Sequence, residues 1–137
     1  MTADQTNMSC NCTAAANHRV NSGTILVADD DPLARELVST TLNNNGWNTI
    51  PARTGYEVLK IIKTKSVDAL ILDMRMPELD GYEVCLWLCR RGMTLPTLVI
   101  TGCIGDMEPL NCLNVATTIQ KPVKPRQLLE FVEDVLA

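Results

Sequence analysis

No apolar run in this chain of 137 residues approaches the length needed to cross a bilayer. The longest are short, such as Ile25 to Ala28 and Ala69 to Leu72, so membrane insertion is not expected. A basic excess is lacking as well. Lys and Arg number 12 against 16 Asp and Glu, a formal charge of -4, which argues against direct nucleic-acid binding. Near the N-terminus stand Asp4 and polar residues, where a secretory signal would place a charged segment and then an apolar one. No such signal is expected, and a cytoplasmic location follows by default. Zinc-type ligand spacing is also missing: Cys10, Cys12 and His18 offer only C-x-C and one histidine, so a solvated tail is the better reading. The six cysteines do not form a disulfide framework. Cys85 and Cys89 lie on a helix-like segment, Cys103 follows a strand, and Cys112 sits in a weak helix. In a cytosolic α/β domain these read as small apolar fillers.

What the chain does contain is a strong alternation of strand and helix signals, after a tail without any. Residues 1–22 are rich in Asn, Ser, Thr and Ala, show no periodicity, and are expected to be disordered. Residues 23–137 read as one domain. Thr24 to Ala28 is a continuous apolar run stopped by Asp29, Asp30, Asp31 and Pro32. Asp31 fits a helix N-cap and Pro32 the first helical position, where no amide donor is needed. Leu33, Leu37, Val38 and Leu42 follow at helical spacing until Asn45 and Gly46 close the segment. Trp47 to Pro51 reads as a short, half-polar strand, and Thr54 to Glu57 as a capping box opening a helix through about Lys65. Val67 to Leu72 is the next strand, Asp80 to Arg91 a helix, and Leu95 to Ile100 a fourth strand. A short, poor helix is expected over Asp106 to Asn114, a fifth strand over Thr117 to Gln120, and a last helix from Pro125 to Leu136.

Strands alternating with helices imply βαβ units and a parallel sheet. Continuous apolar strands are those buried on both faces, which places the first, third and fourth inside. The second and fifth are shorter and more polar, so they form the edges. The order 2-1-3-4-5 satisfies both conditions and is that of a flavodoxin-like doubly wound (βα)5 sheet, with right-handed crossovers placing helices on both faces.

Ligands of such sheets bind beyond the carboxyl ends of the strands, where the strand order reverses. Here those ends carry Asp29, Asp30 and Asp73, followed round the crevice by Thr101 and Lys121. Three carboxylates at close quarters raise one another's pKa unless a cation compensates. Magnesium takes one or two carboxylates and leaves positions for phosphate oxygens. Aspartate can act as the nucleophile in phosphoryl transfer, which depends mainly on positioning and charge neutralisation. Lys121 supplies positive charge and Thr101 a hydrogen bond.

These residues, in this order, resemble the receiver domain of bacterial response regulators. The matching stretches are Ile25 to Pro32, Leu72 to Gly81, Val99 to Gly102 and Gln120 to Pro122, and the likeness covers roughly residues 23–137. The resemblance implies that Asp73 is the phosphoacceptor and that Asp30 binds magnesium directly with Asp29 assisting. It implies that the backbone carbonyl of Arg75 is a further metal ligand, that Thr101 bonds the phosphoryl group, and that Lys121 pairs with it. The implied donors are a sensor histidine kinase, a histidine phosphotransfer protein or a small acyl phosphate. The Lys121–Pro122 peptide is typically cis in the family. The implied role is a two-component phosphorelay switch that catalyses only its own phosphorylation and dephosphorylation. With no output module after Ala137, it is expected to signal to a downstream protein by contact or by onward phosphotransfer.

The chain departs from the family pattern in three places. The interval from Thr101 to Lys121 is short and contains Pro109. Thr118 stands three positions before Lys121, where a switch aromatic is usual. Leu86 and Trp87 occupy a helix position that is usually polar. Trp87 reads either as core or, with Leu86, as an exposed patch for a partner. Two other functions compete with the switch. One is a pseudo-receiver that binds partners without phosphotransfer. The other is an aspartate-nucleophile phosphatase of the haloacid dehalogenase type, which would want a second aspartate where Arg75 stands. The chain also fits a piece of a longer hybrid kinase or regulator.

Overall fold

Covering a strand on both faces calls for an uninterrupted apolar run, and three strands of the sheet carry one between their ends. The computed structural model describes residues 23–102 and 115–136. In chain order its elements are β1 (Thr24–Ala28), α1 (Pro32–Asn44), β2 (Asn48–Ala52), α2 (Gly55–Thr64), β3 (Ala69–Asp73), α3 (Gly81–Arg90), β4 (Thr97–Thr101), β5 (Val115–Gln120) and α4 (Pro125–Leu136). All strand pairs are parallel, in the order β2-β1-β3-β4-β5. β3 and β4 are buried at every position and β1 at all but its first, whereas β2 is half exposed. The expected sheet order and edges are those observed.

Successive residues of each inner strand feed opposite layers, as the two-residue strand period demands. Ile25, Val27, Ala69, Ile71, Leu98 and Ile100 pack with Val38 and Leu42 of α1 and with Leu128, Phe131 and Val132 of α4. Leu26, Ala28, Leu70, Leu72 and Val99 pack with Val58 of α2 and with Val84, Cys85 and Leu88 of α3. Cys85 is thus a buried filler, as expected, while Cys89 is exposed. No helix among the described residues is long and apolar enough to cross a membrane.

Several boundaries shift from the sequence expectation, each for a local reason. β3 starts at Ala69 because Asp68 turns back on β1, accepting from the Thr24 amide at 2.9 Å and donating its own to the Thr24 carbonyl at 2.8 Å. β4 starts at Thr97, after Pro96, and β5 starts earlier than expected, at Val115. A register shift in that pair sets Thr97 opposite Val115 but Leu98 opposite Thr117. β2 runs through Pro51 to Ala52; as an exposed edge residue, Pro51 can lack an amide without breaking an inner ladder.

The caps also differ in detail. Asp31 and Pro32 start α1 as expected, with Leu33 donating to Asp31 Oδ1 at 3.0 Å. Thr54 accepts from the Glu57 amide at 3.1 Å, but Glu57 returns its bond to Arg53 instead of to Thr54, so this is not a closed capping box. The closed box belongs to α3, between Asp80 and Glu83. Leu33 and Leu37 are 78% and 57% exposed, so only Val38 and Leu42 of the expected α1 stripe reach the core. Trp87 is half-buried against the α2–α3 layer, intermediate between the two alternatives read from the sequence. The N-terminal tail with Cys10, Cys12 and His18, the segment Asp106 to Asn114 with Pro109 and Cys112, and Cys103 lie outside the described residues.

Candidate functional site

The carboxyl ends of β1, β3, β4 and β5 open onto one crevice, because parallel pairing brings all four to the same edge. Ala28 is in register with Leu72, Asp73 with Ile100, and Thr101 with Gln120. Each polar residue therefore leaves its strand at nearly the same height. Asp29 and Asp73 are buried, only 4% and 2% exposed, whereas Asp30 faces solvent. One carboxylate oxygen from each of Asp29, Asp30 and Asp73 lies within 4.8 Å of the others.

A buried carboxyl beside a second negative charge is harder to ionise. Burial is the main reason that Asp29 is pushed up to about 6, and the negative Asp73 beside it adds to the effect. The Asp31 amide, donating to Asp29 Oδ1 at 3.0 Å, and the more distant Lys121 oppose the rise without cancelling it. A protonated Asp29 can share its hydrogen with Asp73.

Asp73 is held on both oxygens. The Arg75 amide donates to Oδ1 at 3.3 Å, and Lys121 Nζ lies 3.3 Å from Oδ2. Lys121 is aimed by its own backbone: its amide donates to the Thr101 carbonyl at 2.8 Å, and the Lys121–Pro122 peptide is cis, as anticipated. Thr101 is buried at the end of β4. Of the five residues singled out in the sequence, Asp29, Asp30, Asp73 and Lys121 are thus brought together by their side chains, and Thr101 is joined to Lys121 through the backbone. Thr118, in the usual switch-aromatic position, is half-buried on β5 in register with Val99.

The loop after β3 fixes the floor of the site. The Gly81 amide donates to the Met74 carbonyl at 3.0 Å, and a Cβ on Gly81 would lie 2.8 Å from the Asp73 carbonyl oxygen. Only glycine permits that approach. Within the loop, the Leu79 amide reaches the Pro77 carbonyl at 2.8 Å across Glu78, whose φ is 71°. Such a γ-turn is rare and strained, and strain of this kind gathers at functional sites.

The sequence reading missed one contributor. Arg35 of α1 donates from Nη1 to the Asp29 carbonyl at 2.7 Å, tying the helix to the acidic loop. A single arginine in a helix gives no sequence signal for this, because its usual place is a solvated face.

The family model described as "Response regulator receiver domain" matches residues 25–133. The chain belongs to that family. This receiver domain is 32% identical over 114 residues to a "Probable transcriptional regulator ycf27" of Cyanidium caldarium, covering 82% of this chain and 45% of the relative. It is 47% identical over 78 residues to the "Response regulator MprA" of Mycobacterium ulcerans, covering 57% of this chain and 34% of that protein. The chain thus spans less than half the length of these relatives. Among solved structures, a Francisella response regulator receiver domain superposes with a TM-score of 0.78 at 25% identity, covering 84% of this chain and 97% of that one. The signal receiver domain of a histidine kinase from Syntrophus aciditrophicus gives 0.73 at 30% identity, covering 84% and 90%. The family places the chain in two-component signalling, and its members are signalling proteins.

The donor set suits a hard divalent cation: three carboxylates, two of them buried, of which Asp73 alone is in an ion pair among the described residues. Soft ligands are not part of the cluster.

Proposed function

We propose that this receiver domain is a magnesium-dependent switch that takes a phosphoryl group on Asp73. The observation that carries this reading is the pairing of a buried Asp73 carboxylate with Lys121 Nζ at 3.3 Å, within a cluster of three carboxylates. An Asp73 oxygen attacks the phosphorus of a phosphohistidine or of a small acyl phosphate. The oxygen–phosphorus bond forms, the bond to the donor nitrogen or oxygen breaks, and its electron pair leaves with the donor. Asp29, Asp30, Asp73 and the Arg75 carbonyl would hold magnesium, which when bound offsets the charge on the transferring oxygens. Lys121 moves its ion pair from the bare carboxylate to the phosphoryl oxygens, and the Thr101 hydroxyl donates to another. The added charge biases the β4 and β5 ends between two arrangements. Thr118 supplies no aromatic ring for that coupling, so Thr101 and Lys121 carry it through the backbone bond between them.

The donor is a histidine kinase or a histidine phosphotransfer protein. Beside the site, a cleft of about 470 Å3 runs between α1 and the segment after β5, lined by Leu37, Val38, Lys121, Pro122 and Val123. Exposed Leu37 in its lining, with exposed Leu33 one turn earlier on α1, gives a helical donor protein apolar surface beside Asp29 and Lys121. Output passes to a downstream protein in the cytoplasm, without direct nucleic-acid contact by this domain. Nothing in the site favours a phosphatase, since exposed Arg75 occupies the position of the second aspartate such enzymes need.

Intact mass after incubation with magnesium and a small acyl phosphate tests the reading. One added phosphoryl group is expected, absent in Asp73→Asn and absent without magnesium. A protein that gains no adduct and binds no beryllofluoride is a pseudo-receiver instead.

A further inference from the structure

The α2–α3 face carries an excess of positive charge. In a chain of net charge -4, α2 and its cap hold Lys60, Lys63 and Lys65, and the end of α3 holds Arg90 and Arg91. All five are exposed, and among the described residues none makes an ion pair with a carboxylate. The two carboxylates on these helices are already engaged. Glu57 bonds the Arg53 amide at 2.9 Å and its guanidinium at 3.4 Å, while Glu83 bonds the Asp80 amide at 3.1 Å in the α3 cap.

At the centre of this positive surface is Trp87. Its indole carries the Arg91 guanidinium at 4.5 Å and Lys63 Nζ at 5.5 Å from the ring centroid, one cation from each helix. Such contacts hold long side chains in place before any partner arrives. A groove of about 540 Å3 runs alongside, with Leu79, Leu86 and Trp87 as apolar lining, Arg90 and Arg91 as its cations, and Glu83 as its one carboxylate, already accepting from the Asp80 amide. Positioned Arg and Trp beside an apolar pocket are the residue types that dominate protein interfaces. Five cations, Lys60, Lys63, Lys65, Arg90 and Arg91, stand here against the two carboxylates Glu57 and Glu83, so an anionic partner gains from the positive excess.

We infer that the α2–α3 face is a docking surface for an acidic protein segment, with an apolar side chain of that segment seated beside Trp87 and its carboxylates on Lys63, Arg90 and Arg91. The mixed lining favours a peptide over a nucleic acid or a lipid surface: a pure polyanion leaves Leu79 and Leu86 uncovered. The surface does not depend on phosphorylation of Asp73 and stands whether or not that residue is modified.

The probe is a synthetic twelve-residue peptide alternating glutamate with leucine, titrated into the full chain while tryptophan emission is followed. Trp47, the other tryptophan, is buried in the opposite layer, so the signal reports Trp87. Saturable binding is expected at low salt, weakened about tenfold or more in 0.5 M NaCl, where the Debye length is a few ångströms. Lys63→Ala with Arg91→Ala should weaken it at least about tenfold. Circular dichroism checks the fold of that pair, and Lys63→Gln with Arg91→Gln replaces it if it is unfolded. A peptide with lysine in place of glutamate should not bind. The proposal is overturned by no binding of the acidic peptide, by binding that the double variant leaves unchanged, or by equal binding of the lysine peptide. It is also overturned if anionic phospholipid vesicles or single-stranded RNA bind more tightly through the same residues.

Discussion

Asp29 is the residue on which the electrostatics of the crevice turn, because its surroundings make its proton harder to lose than that of an ordinary carboxyl. Its carboxyl ordinarily titrates near 3.8 and is pushed up to about 6 in the fold, first by burial and then by Asp73. The native state thus binds more protons than the unfolded chain between those two values, and stability falls as pH rises across that window. Below pH 3.8 the contribution is fully present; above about 6 it is gone. Asp29→Asn keeps an oxygen acceptor for the Asp31 amide but cannot ionise. In EDTA the variant should match the parent near pH 4 and exceed it by roughly 2 kcal/mol at pH 7.5, read from urea unfolding. A parent protein that gains stability relative to the variant as pH rises would contradict this. The carboxylate cluster was legible in the sequence because Asp29 and Asp73 each follow directly on an apolar run, with Asp30 next to the first. Arg35 was not, since its bond to the Asp29 carbonyl depends on where the first turn of α1 lands.

At the scale of the element, α1 is two surfaces on one helix. Val38 and Leu42 reach the sheet, while Leu33 and Leu37 stand in solvent near the crevice. Leu33→Glu with Leu37→Glu should leave the melting temperature nearly unchanged and slow phosphotransfer from a protein donor about tenfold or more. Labelling by a small acyl phosphate should continue at the parental rate. Equal loss with both donors would show that the leucines serve the site itself. The helical spacing of these leucines was plain in the sequence, but spacing gives the face and not how far the sheet extends beneath it. Strand order was readable because burial on two faces leaves a compositional mark. Boundaries were less so: β3 loses Val67 and Asp68 to a turn whose hydrogen bonds to Thr24 involve a distant residue. The cap of α3 and the bend at Glu78 likewise depend on backbone geometry that residue type only permits.

For the molecule as a whole, two apolar layers clamp one sheet, and four strand ends meet where three carboxylates oppose one another. A ligand that relieves that repulsion stabilises the entire fold in proportion to its binding. Magnesium at 10 mM should therefore raise the melting temperature by a few degrees at pH 7.5 and by much less at pH 5, where Asp29 retains its proton and metal must displace it. Asp30→Asn should reduce the rise at pH 7.5. A pH-independent rise would point to cation binding elsewhere. The flanks of the sheet carry a further consequence. Pro51 gives the β2 margin no amide to offer a newcomer, and the register shift against β4 marks an irregularity in β5, the strand at the opposite margin. The backbone ladder cannot readily be lengthened by another chain. A change in the crevice would then be passed on through helix surfaces and their side chains, not through an added strand.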